Sequence, residues 1–311
     1  MIKLKLIRVL SGLILLTLIC ACSDETSATD GNNIGPRRVA VIGPAIAEML
    51  EALDLLDYVA GLGEFGPWPE PIRNLPIVGG YDSPNVEQIL SLDIDTVLNV
   101  QSQAATDAHH NLESLGIRVI ELDTSTFEGV FNSIKMLGKL FDRNYTAEKL
   151  VNQLRADVAE VENLARNLEQ RRVLFVVGRD PVYVAGPGSH IDHLISLAGG
   201  ENIAHDALAP YQQMSLEVIF ERNPQVIIDT SDNRTSALRG RQTGPWGRWG
   251  FLDAVKNDQV YWIHPSRLVI PGIRLPEMAQ LAGKLIHPEA FGEPDDYEFR
   301  EFVFKDHVTS R

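Results

Sequence analysis

The chain has 311 residues, and its 28 Lys and Arg against 42 Asp and Glu give a formal net charge of −14 at pH 7. Binding to nucleic acid requires a basic surface, and this acidic balance argues against it. The same balance disfavours adhesion of the protein surface to anionic lipid.

The first 22 residues have the pattern of an export signal. Lys3, Lys5 and Arg8 precede an apolar stretch over residues 9–19, which is shorter than the roughly 20 apolar residues of a membrane-spanning helix. The segment ICAC that ends at Cys22 resembles a lipobox, in which the cysteine after the cleavage site is acylated. We therefore predict an extracytoplasmic lipoprotein anchored to a membrane through Cys22. The alternative is an ordinary cleaved secretory signal with an incidental cysteine.

Residues 23–37 are rich in Ser, Thr, Asp, Asn and Gly and have no apolar periodicity, so we predict a flexible tether. The folded body then begins at residue 38 and contains no cysteine. It therefore has no disulfide, no thiolate metal site and no cysteine nucleophile. Loss of the leader with its three basic residues lowers the net charge to −17.

Apolar runs typical of buried strands alternate with helical patterns from residue 38 onward. The strand candidates are residues 37–43, 95–100 and 117–123 in the first half, and residues 172–178, 225–230 and 259–264 in the second. Their Val and Ile content favours parallel pairing. Strands that alternate with helices predict an α/β fold with parallel sheets.

A long helical pattern separates the two halves. Residues 146–170 contain neither Gly nor Pro, and apolar residues recur in them at spacings of three and four. We predict a single long helix that joins an N-terminal lobe, residues 38–145, to a C-terminal lobe, residues 171–291, with a tail over residues 292–311. The alternative is a long surface helix of a single domain.

An internal repeat supports two lobes. Residues 86–98 and 216–228 align without a gap at an offset of 130, which pairs Glu87 with Glu217 and Ile89 with Ile219. Repeats of this kind indicate two similar structural units. A cleft between two lobes is a usual place for a small-molecule site.

Four segments carry a resemblance to a known family. They are LPIVGGYDSPNVEQILSLDIDTVL (75–98), VYVAGPGSHIDHLISLAGGENIA (182–204), QMSLEVIFERNPQVII (213–228) and PGIRLPEMAQLAGKLIHPEAF (271–291). The chain resembles the iron-complex and cobalamin class of ABC-transporter substrate-binding proteins over residues 38–291. The resemblance implies two Rossmann-like lobes joined by one long helix, with the ligand between them. It also implies delivery of a bulky metal chelate to a membrane permease and its ATPase.

The resemblance assigns a role to the repeated glutamates. In this family one glutamate at the tip of each lobe docks into arginine pockets of the permease, and these positions fall on Glu87 and Glu217. Without the resemblance, both are acids near the N-terminus of a helix, where they suit the helix dipole. Paired charges at two tips set register and orientation.

Candidate ligand contacts lie mainly in loops at strand ends that lead into helices, where α/β folds collect binding groups. They are Pro44, Phe65, Trp68, Tyr81, Tyr183, His190, Trp246 and Arg267. The aromatic residues offer flat faces to a corrin, a porphyrin or a catecholate. The alternative for each is a half-buried packing residue. Arg274 could likewise meet a ligand or form a structural salt bridge.

The position of Tyr81 indicates which of the possible ligands to expect first. In the cobalamin-binding branch of the family, an aromatic residue six positions before the docking glutamate packs against the corrin, and Tyr81 stands six before Glu87. In the heme-binding branch the iron-ligating tyrosine lies at a slightly different distance. We therefore expect cobalamin or a related corrinoid first, a ferric siderophore second and heme third, with no resident cofactor.

Other functional classes have weaker support. The sequence lacks the G-x-S-x-G elbow, the P-loop, the H-E-x-x-H motif and the Rossmann glycine motif, so we expect no enzyme, although an extracytoplasmic hydrolase stays conceivable. His190 and His193 could share a helical face and bind zinc, but the spacing supplies no third ligand. A zinc or manganese binder is thus a less favoured alternative. We expect a monomer.

Overall fold

The computed structural model describes residues 35–101, 106–231 and 238–302. The predicted signal and the acylation site Cys22 lie outside these ranges. Residues from Pro36 onward form one compact unit. Across the three described ranges, no helix combines the length and the apolar character needed to cross a bilayer.

The N-terminal lobe is built on a four-stranded parallel sheet with the strand order β2-β1-β3-β4. Its elements are β1 (Val39–Ile42), α1 (Pro44–Ala52), a 3-10 turn (Leu56–Tyr58), β2 (Val59–Leu62), α2 (Val86–Ser91), β3 (Thr96–Val100), α3 (Thr106–Ser114), β4 (Arg118–Leu122) and α4 (Phe127–Leu140). Every residue of β1 is buried, as expected for the central part of a parallel sheet covered on both faces.

A single helix, α5 (Asn144–Ala165), connects the lobes, and we call it the spine helix. Its 22 residues span roughly 33 Å. It begins two residues before the predicted start and ends five before the predicted end. Its first turns pack closely on α4, since a Cβ added to Gly138 would lie 2.4 Å from the Cβ of Ala147.

The C-terminal lobe contains a seven-stranded sheet. Its elements are β5 (Arg171–Arg179), β6 (Val182–Ala185), α6 (His190–Leu197), β7 (Gly200–Asn202), β8 (Tyr211–Gln213), α7 (Leu216–Arg222), β9 (Val226–Asp229), β10 (Gly240–Arg241), a 3-10 turn (Gly244–Trp249), α8 (Asp253–Lys256), β11 (Val260–Trp262), a second 3-10 turn (Pro265–Arg267), α9 (Leu275–Ile286), α10 (Pro288–Phe291) and a third 3-10 turn (Asp296–Phe299). The end of the spine helix packs against α9 and α10.

The second sheet differs from the all-parallel prediction. Strands β11, β9, β5 and β7 pair in parallel, whereas β6, β8 and β10 pair antiparallel with their neighbours. The sheet is therefore mixed. The long apolar runs form its parallel centre, and the short antiparallel strands carry no comparable apolar run.

The internal repeat is also a structural repeat. Ile89 in α2 and Ile219 in α7 are both fully buried. Asp93 and Asn223 both follow these helices with a positive φ, of 52° and 43°, and each precedes a buried parallel strand. The same sequence pattern thus builds the same helix, left-handed turn and strand in each lobe.

A buried ion pair joins the two lobes. Glu48 of α1 is 2 % exposed and Arg274, at the start of α9, is 4 % exposed. The Arg274 Nε donates to both carboxylate oxygens of Glu48, at 3.0 and 3.1 Å, and Arg274 Nη1 donates to the carbonyl of Ser266 at 3.2 Å. Burial raises the pKa of Glu48, and the guanidinium of Arg274 opposes that rise. Of the two roles considered for Arg274, the structure thus supports the salt bridge. This salt bridge joins the two lobes and does not lie within the C-terminal lobe.

An aromatic contact also crosses between the lobes. The rings of Phe127 and His193 stack with centroids 4.5 Å apart and an interplanar angle of 3°. Phe127 begins α4 of the N-terminal lobe, and His193 lies in α6 of the C-terminal lobe. His193 is therefore a packing residue and is not placed to ligate a metal.

The predicted tail is in part a packed segment. Residues 293–302, which we call the C-terminal strap, lie on the C-terminal lobe, with Phe299 and Phe302 buried. Lys284 Nζ of α9 contacts both carboxylate oxygens of Glu298, at 3.0 and 2.9 Å. The lobe therefore extends past the predicted boundary at residue 291, at least to residue 302.

Replacing Glu48 with Ala is expected to lower the free energy of unfolding by about 3–5 kcal/mol, because it leaves the guanidinium of Arg274 buried without its counter-ion. Urea denaturation followed by circular dichroism measures this loss. The matched control is Glu128→Ala, which removes an exposed bidentate partner of Arg155 on the spine helix. We expect that control to cost less than about 1 kcal/mol. Equal losses in the two variants would contradict the importance of the buried pair.

Candidate ligand-binding cleft

A cleft of about 520 Å³ lies between the two lobes. The N-terminal lobe contributes Gly43, Pro44, Ala45, Phe65, Gly66, Pro67, Tyr81, Val100 and Thr124 to its lining, and the C-terminal lobe and strap contribute His264, Pro265, Ser266, Val269, Ile270, Pro271 and Glu301. Three of the predicted ligand contacts, Pro44, Phe65 and Tyr81, therefore come together in one site. The site lies where strands of the first lobe end, as expected for an α/β fold.

The turn from β1 into α1 places Pro44 in the cleft. Gly43 has a φ of 138°, which side chains rarely allow, and an added Cβ would lie 3.0 Å from Val100 Cγ1. Pro44 follows as the first residue of α1, where its missing N–H costs no helical hydrogen bond. The pair Gly43-Pro44 thus ends the strand sharply and places a largely buried apolar ring in the lining of the cleft.

A tight turn positions Tyr81. Gly79 has a φ of 102°, and an added Cβ would lie 2.4 Å from the carbonyl oxygen of Ser83. Asn99 of β3 donates from Nδ2 to the backbone carbonyl of Tyr81 at 3.3 Å. Burial raises the pKa of the Tyr81 phenol, so it stays protonated at neutral pH. Tyr81 therefore offers both an aromatic face and a hydroxyl to a ligand.

Phe65 and Trp68 have different roles in the same loop. The Phe65 side chain is 65 % exposed and lines the cleft. Trp68 is half-buried and packs beneath the loop, where a Cβ added to Gly66 would lie 2.3 Å from its indole. Trp68 is not among the lining residues. It thus supports the loop that presents Phe65.

The cleft is mainly apolar, and its polar groups carry little positive charge. His264 shares a hydrogen bond of 2.8 Å with Ser266 Oγ, and burial lowers the pKa of the His264 imidazole. Glu301 is the one carboxylate among the described lining residues, and none of those residues is Lys or Arg. The charge that the described lining offers a ligand is therefore negative.

Arg267 is not placed as predicted. Its Nε donates to the carbonyl of Arg300 at 2.8 Å, its Nη2 donates to the carbonyl of Tyr297 at 3.1 Å, and its guanidinium lies 4.4 Å from the Tyr297 ring centroid. The side chain is buried and does not line the cleft. Arg267 anchors the C-terminal strap, which lies within the predicted tail over residues 292–311.

His190 and Trp246 are also buried away from the cleft. His190 contacts the carbonyl of Leu268 through Nε2 at 2.9 Å, and burial lowers the pKa of its imidazole to about 4. Trp246 is 1 % exposed and donates from Nε1 to Asp229 Oδ2 at 2.8 Å. Both were predicted to contact ligand, and both instead act as packing residues of the C-terminal lobe.

Tyr183 lies on β6 and is 42 % exposed, but it does not line the cleft. Tyr211 on the neighbouring strand β8 is 43 % exposed, and burial raises the pKa of its phenol. It does not line the cleft either, although the offset of 130 pairs it with Tyr81. Glu301 lines the cleft and was not predicted, since the tail gave no signal of contact with the cleft.

Glu87 and Glu217 occupy equivalent places on the two lobes. Each is the second residue of its helix, α2 or α7, and each side chain is exposed. The side chains of Asn85 and Ser215 cap these helices by accepting from the backbone N–H of the third helical residue, Gln88 or Val218. Hydrogen bonds from its own backbone N–H and from Ser215 lower the pKa of Glu217. Each lobe therefore displays a carboxylate at a capped helix N-terminus.

No group of three His, Cys, Asp or Glu side chains capable of holding a metal ion occurs within residues 35–101, 106–231 and 238–302. The histidines considered for zinc, His190 and His193, make the packing contacts described above.

Two α/β lobes on one spine helix, with an apolar cleft between them, define a binding protein for a small molecule. The sequence profile of the periplasmic binding protein family matches residues 39–266. The chain belongs to this family. The family and its relatives indicate an ABC-type substrate-binding protein that works outside the cytoplasm.

Three similar proteins illustrate this relationship. An uncharacterized ABC transporter substrate-binding lipoprotein, YvrC of Bacillus subtilis, is 28% identical over 265 residues, which cover 83% of this chain and 82% of the relative. The vitamin B12-binding protein of Vibrio parahaemolyticus is 24% identical over 225 residues, covering 72% of this chain and 80% of the relative. The crystal structure of the periplasmic heme-binding protein HutB of Vibrio cholerae has a TM-score of 0.71 at 22% identity, covering 81% of this chain and 99% of that chain. The two-lobed fold and the family resemblance are thereby confirmed.

The stability of the protein is expected to fall as pH decreases from 6.5 to about 4, in part through His190. The unfolded chain takes up a proton at His190 near pH 6.5, whereas the folded protein takes it up only near pH 4, so acid favours the unfolded state across this interval. The contribution is roughly 3 kcal/mol. Urea denaturation of the wild type and of His190→Gln, at pH 7 and at pH 4.5, measures it. An equal loss of stability on acidification in both proteins would contradict the assignment.

Proposed function

We propose that this protein captures a corrinoid, such as cobalamin, in the interlobe cleft and delivers it to the permease of an ABC importer. The observation that carries the choice of ligand is the charge of the cleft, whose described lining contains one carboxylate and no Lys or Arg. A corrinoid has a flat ring fringed by carboxamides, which donate hydrogen bonds without bringing negative charge. The faces of Phe65 and Tyr81 suit such a ring, because aromatic side chains pack well on flat conjugated surfaces.

The alternative ligands have a less favourable charge. Heme carries two carboxylates and a ferric catecholate siderophore carries net negative charge, so both need cationic partners in a binding site. Arg267 and Arg274, which flank the lining segment over residues 269–271, are engaged with the strap and with Glu48. The name of the Vibrio parahaemolyticus relative, a vitamin B12-binding protein, supports the same choice. Heme and siderophores rank below corrinoids for these reasons.

Glu87 and Glu217 are proposed as the permease contacts. The support is their equivalent placement, since each is exposed at the start of a capped helix and the two are related by the internal repeat. One carboxylate on each lobe sets the orientation of the protein on a partner with two basic pockets. The proposal assigns no catalysis to the chain.

Acylation of Cys22 is also part of the proposal and rests on the sequence alone. The lipid would hold the binding protein near its permease, and the polar residues 23–37 would tether the folded body to it. The intact mass of the exported protein distinguishes acylation from plain cleavage.

The protein from residue 23 onward is expected to bind cyanocobalamin with submicromolar affinity in isothermal titration calorimetry, and to bind hemin and a ferric tris-catecholate at least about tenfold more weakly. Phe65→Ala should weaken cyanocobalamin binding about tenfold, because the cleft loses an exposed aromatic face. Phe251→Ala is the matched control, since Phe251 is also more than half exposed but lies outside the cleft lining. Preference for hemin or the catecholate would refute the corrinoid assignment while keeping the transport function.

The double variant Glu87→Ala with Glu217→Ala is expected to abolish ligand uptake in cells that also express the permease and ATPase, because docking loses both tip charges. Its affinity for ligand in solution should stay within about twofold of the wild type, as neither glutamate lines the cleft. The control double variant, Glu113→Ala with Glu201→Ala, removes one exposed acid from each lobe and should leave uptake intact. Normal uptake by the first variant, or loss of its affinity for ligand, would count against docking through these residues.

A further inference from the structure

The C-terminal strap is fixed to the C-terminal lobe along its first half. Asp295 and Glu298 form a reciprocal capping box around the 3-10 turn, and Glu298 also pairs with Lys284 of α9. Phe299, at the end of this turn, is buried and stacks beside Tyr261 of β11, with ring centroids 6.4 Å apart. The first half of the strap is therefore part of the lobe's packing.

The second half of the strap runs beside the segment that forms the cleft wall. The backbone N–H of His264 donates to the carbonyl of Phe299 at 3.0 Å, and the backbone N–H of Phe302 donates to Ser266 Oγ at 2.9 Å. Between these two bonds, the Arg267 Nε donates to the carbonyl of Arg300 at 2.8 Å. His264 and Ser266 both line the cleft. These three hydrogen bonds, with further bonds from Arg267 to Tyr297 and Glu301, tie the strap to the segment that forms the wall of the site.

The buried ring of Phe302 completes the anchoring. It is 4 % exposed, and the guanidinium of Arg274 lies 3.8 Å from its centroid. Arg274 is the residue that binds Glu48 across the lobes. The end of the described strap is therefore packed on the interlobe ion pair and not only on the surface of one lobe.

Glu301 lies between these anchored residues and is exposed on the cleft side. With the backbone held at Arg300 and at Phe302, the position of Glu301 along the wall is set by the packing on either side of it. It is the one Asp or Glu among the described residues of the lining, and those residues include no Lys or Arg. Outside the lining, Arg267 donates from Nη2 to the backbone carbonyl of Glu301 at 3.5 Å. A carboxylate on the wall of an apolar cleft attracts positive groups and N–H donors of a bound molecule and repels negative groups.

We propose that Glu301, carried by the C-terminal strap, is a specificity-determining residue of the cleft, which selects ligands that present N–H donors or positive groups to it and rejects ligands that present carboxylates or other negative groups. This inference rests on the proposed capture of a small molecule in the cleft. The strap lies outside residues 39–266, the part of the chain that matches the family profile. The residue proposed for selection therefore lies outside the part of the chain that matches the family profile.

Glu301→Gln tests the inference, because it removes the charge and keeps the shape. Titration calorimetry of the wild type and the variant is made with cyanocobalamin, hemin and a ferric tris-catecholate. The variant should bind cyanocobalamin about tenfold more weakly, since a hydrogen bond to a charged acceptor is stronger than one to an amide. It should bind hemin and the catecholate at least about fivefold more tightly, because a like-charge repulsion is removed.

Asp296→Asn is the matched control, since Asp296 is an exposed acid of the same strap that does not line the cleft. It should leave all three affinities within twofold of the wild type, and thermal melting of both variants checks that the strap stays folded. The wild-type preference among the probes tests the proposed ligand, whereas the ratio of variant to wild-type affinity tests the role of Glu301. If the wild type prefers hemin and the variant binds hemin still more tightly, the corrinoid assignment is refuted and the role of Glu301 in specificity is supported. A ratio near one for every probe, or no binding of any probe to either protein, would overturn the inference.

Discussion

The buried ion pair between Glu48 and Arg274 is the contact on which the two-lobed arrangement depends. Removal of two charges from water is costly, and that cost is offset only while each lobe holds its own member of the pair against the other. Arg274 also donates to the carbonyl of Ser266 in the cleft wall and stacks on Phe302 of the strap. One guanidinium therefore links the first helix of the N-terminal lobe, the wall of the cleft and the C-terminal strap, so that the lobe orientation and the cleft wall are set together.

The cleft combines a geometry common in α/β folds with a particular distribution of charge. Strand ends and glycine turns bring Pro44, Phe65 and Tyr81 to one side, and Pro265, Pro271 and Glu301 lie on the other. The two arginines considered as ligand contacts, Arg267 and Arg274, are both engaged in structural contacts. Arg267 and Arg274 hold the strap and the lobes, and neither is among the described residues of the cleft lining. The proposed preference for an uncharged, amide-bearing ligand rests on this use of the two cations.

Much of the fold was predictable from local patterns, and much of the site was not. The buried parallel strands β1, β3, β5 and β9 are continuous apolar runs, and such runs indicate full burial whatever their partners are. Trp246 and Arg267 show the opposite case. An indole or a guanidinium in a glycine-rich or proline-rich segment suits a ligand site and a packed interior equally. Trp246 is held in the interior by Asp229 and Arg267 by Arg300, and neither partner is a sequence neighbour.

By itself, the sequence determined the two α/β lobes, the long helix between them, the paired glutamates at equivalent helix starts and the family. These features depend on periodicity, glycine turns and an internal repeat, all of which can be recognised along the chain without knowing which segments come into contact. Only the tertiary structure decided that Arg274 joins the lobes, that Arg267 anchors the strap, that His190 and Trp246 are interior residues and that Glu301 reaches the cleft. The physical reason is that burial and charge pairing belong to contacts between distant segments, and a residue's type states which contacts it can make but not which partner the fold brings to it.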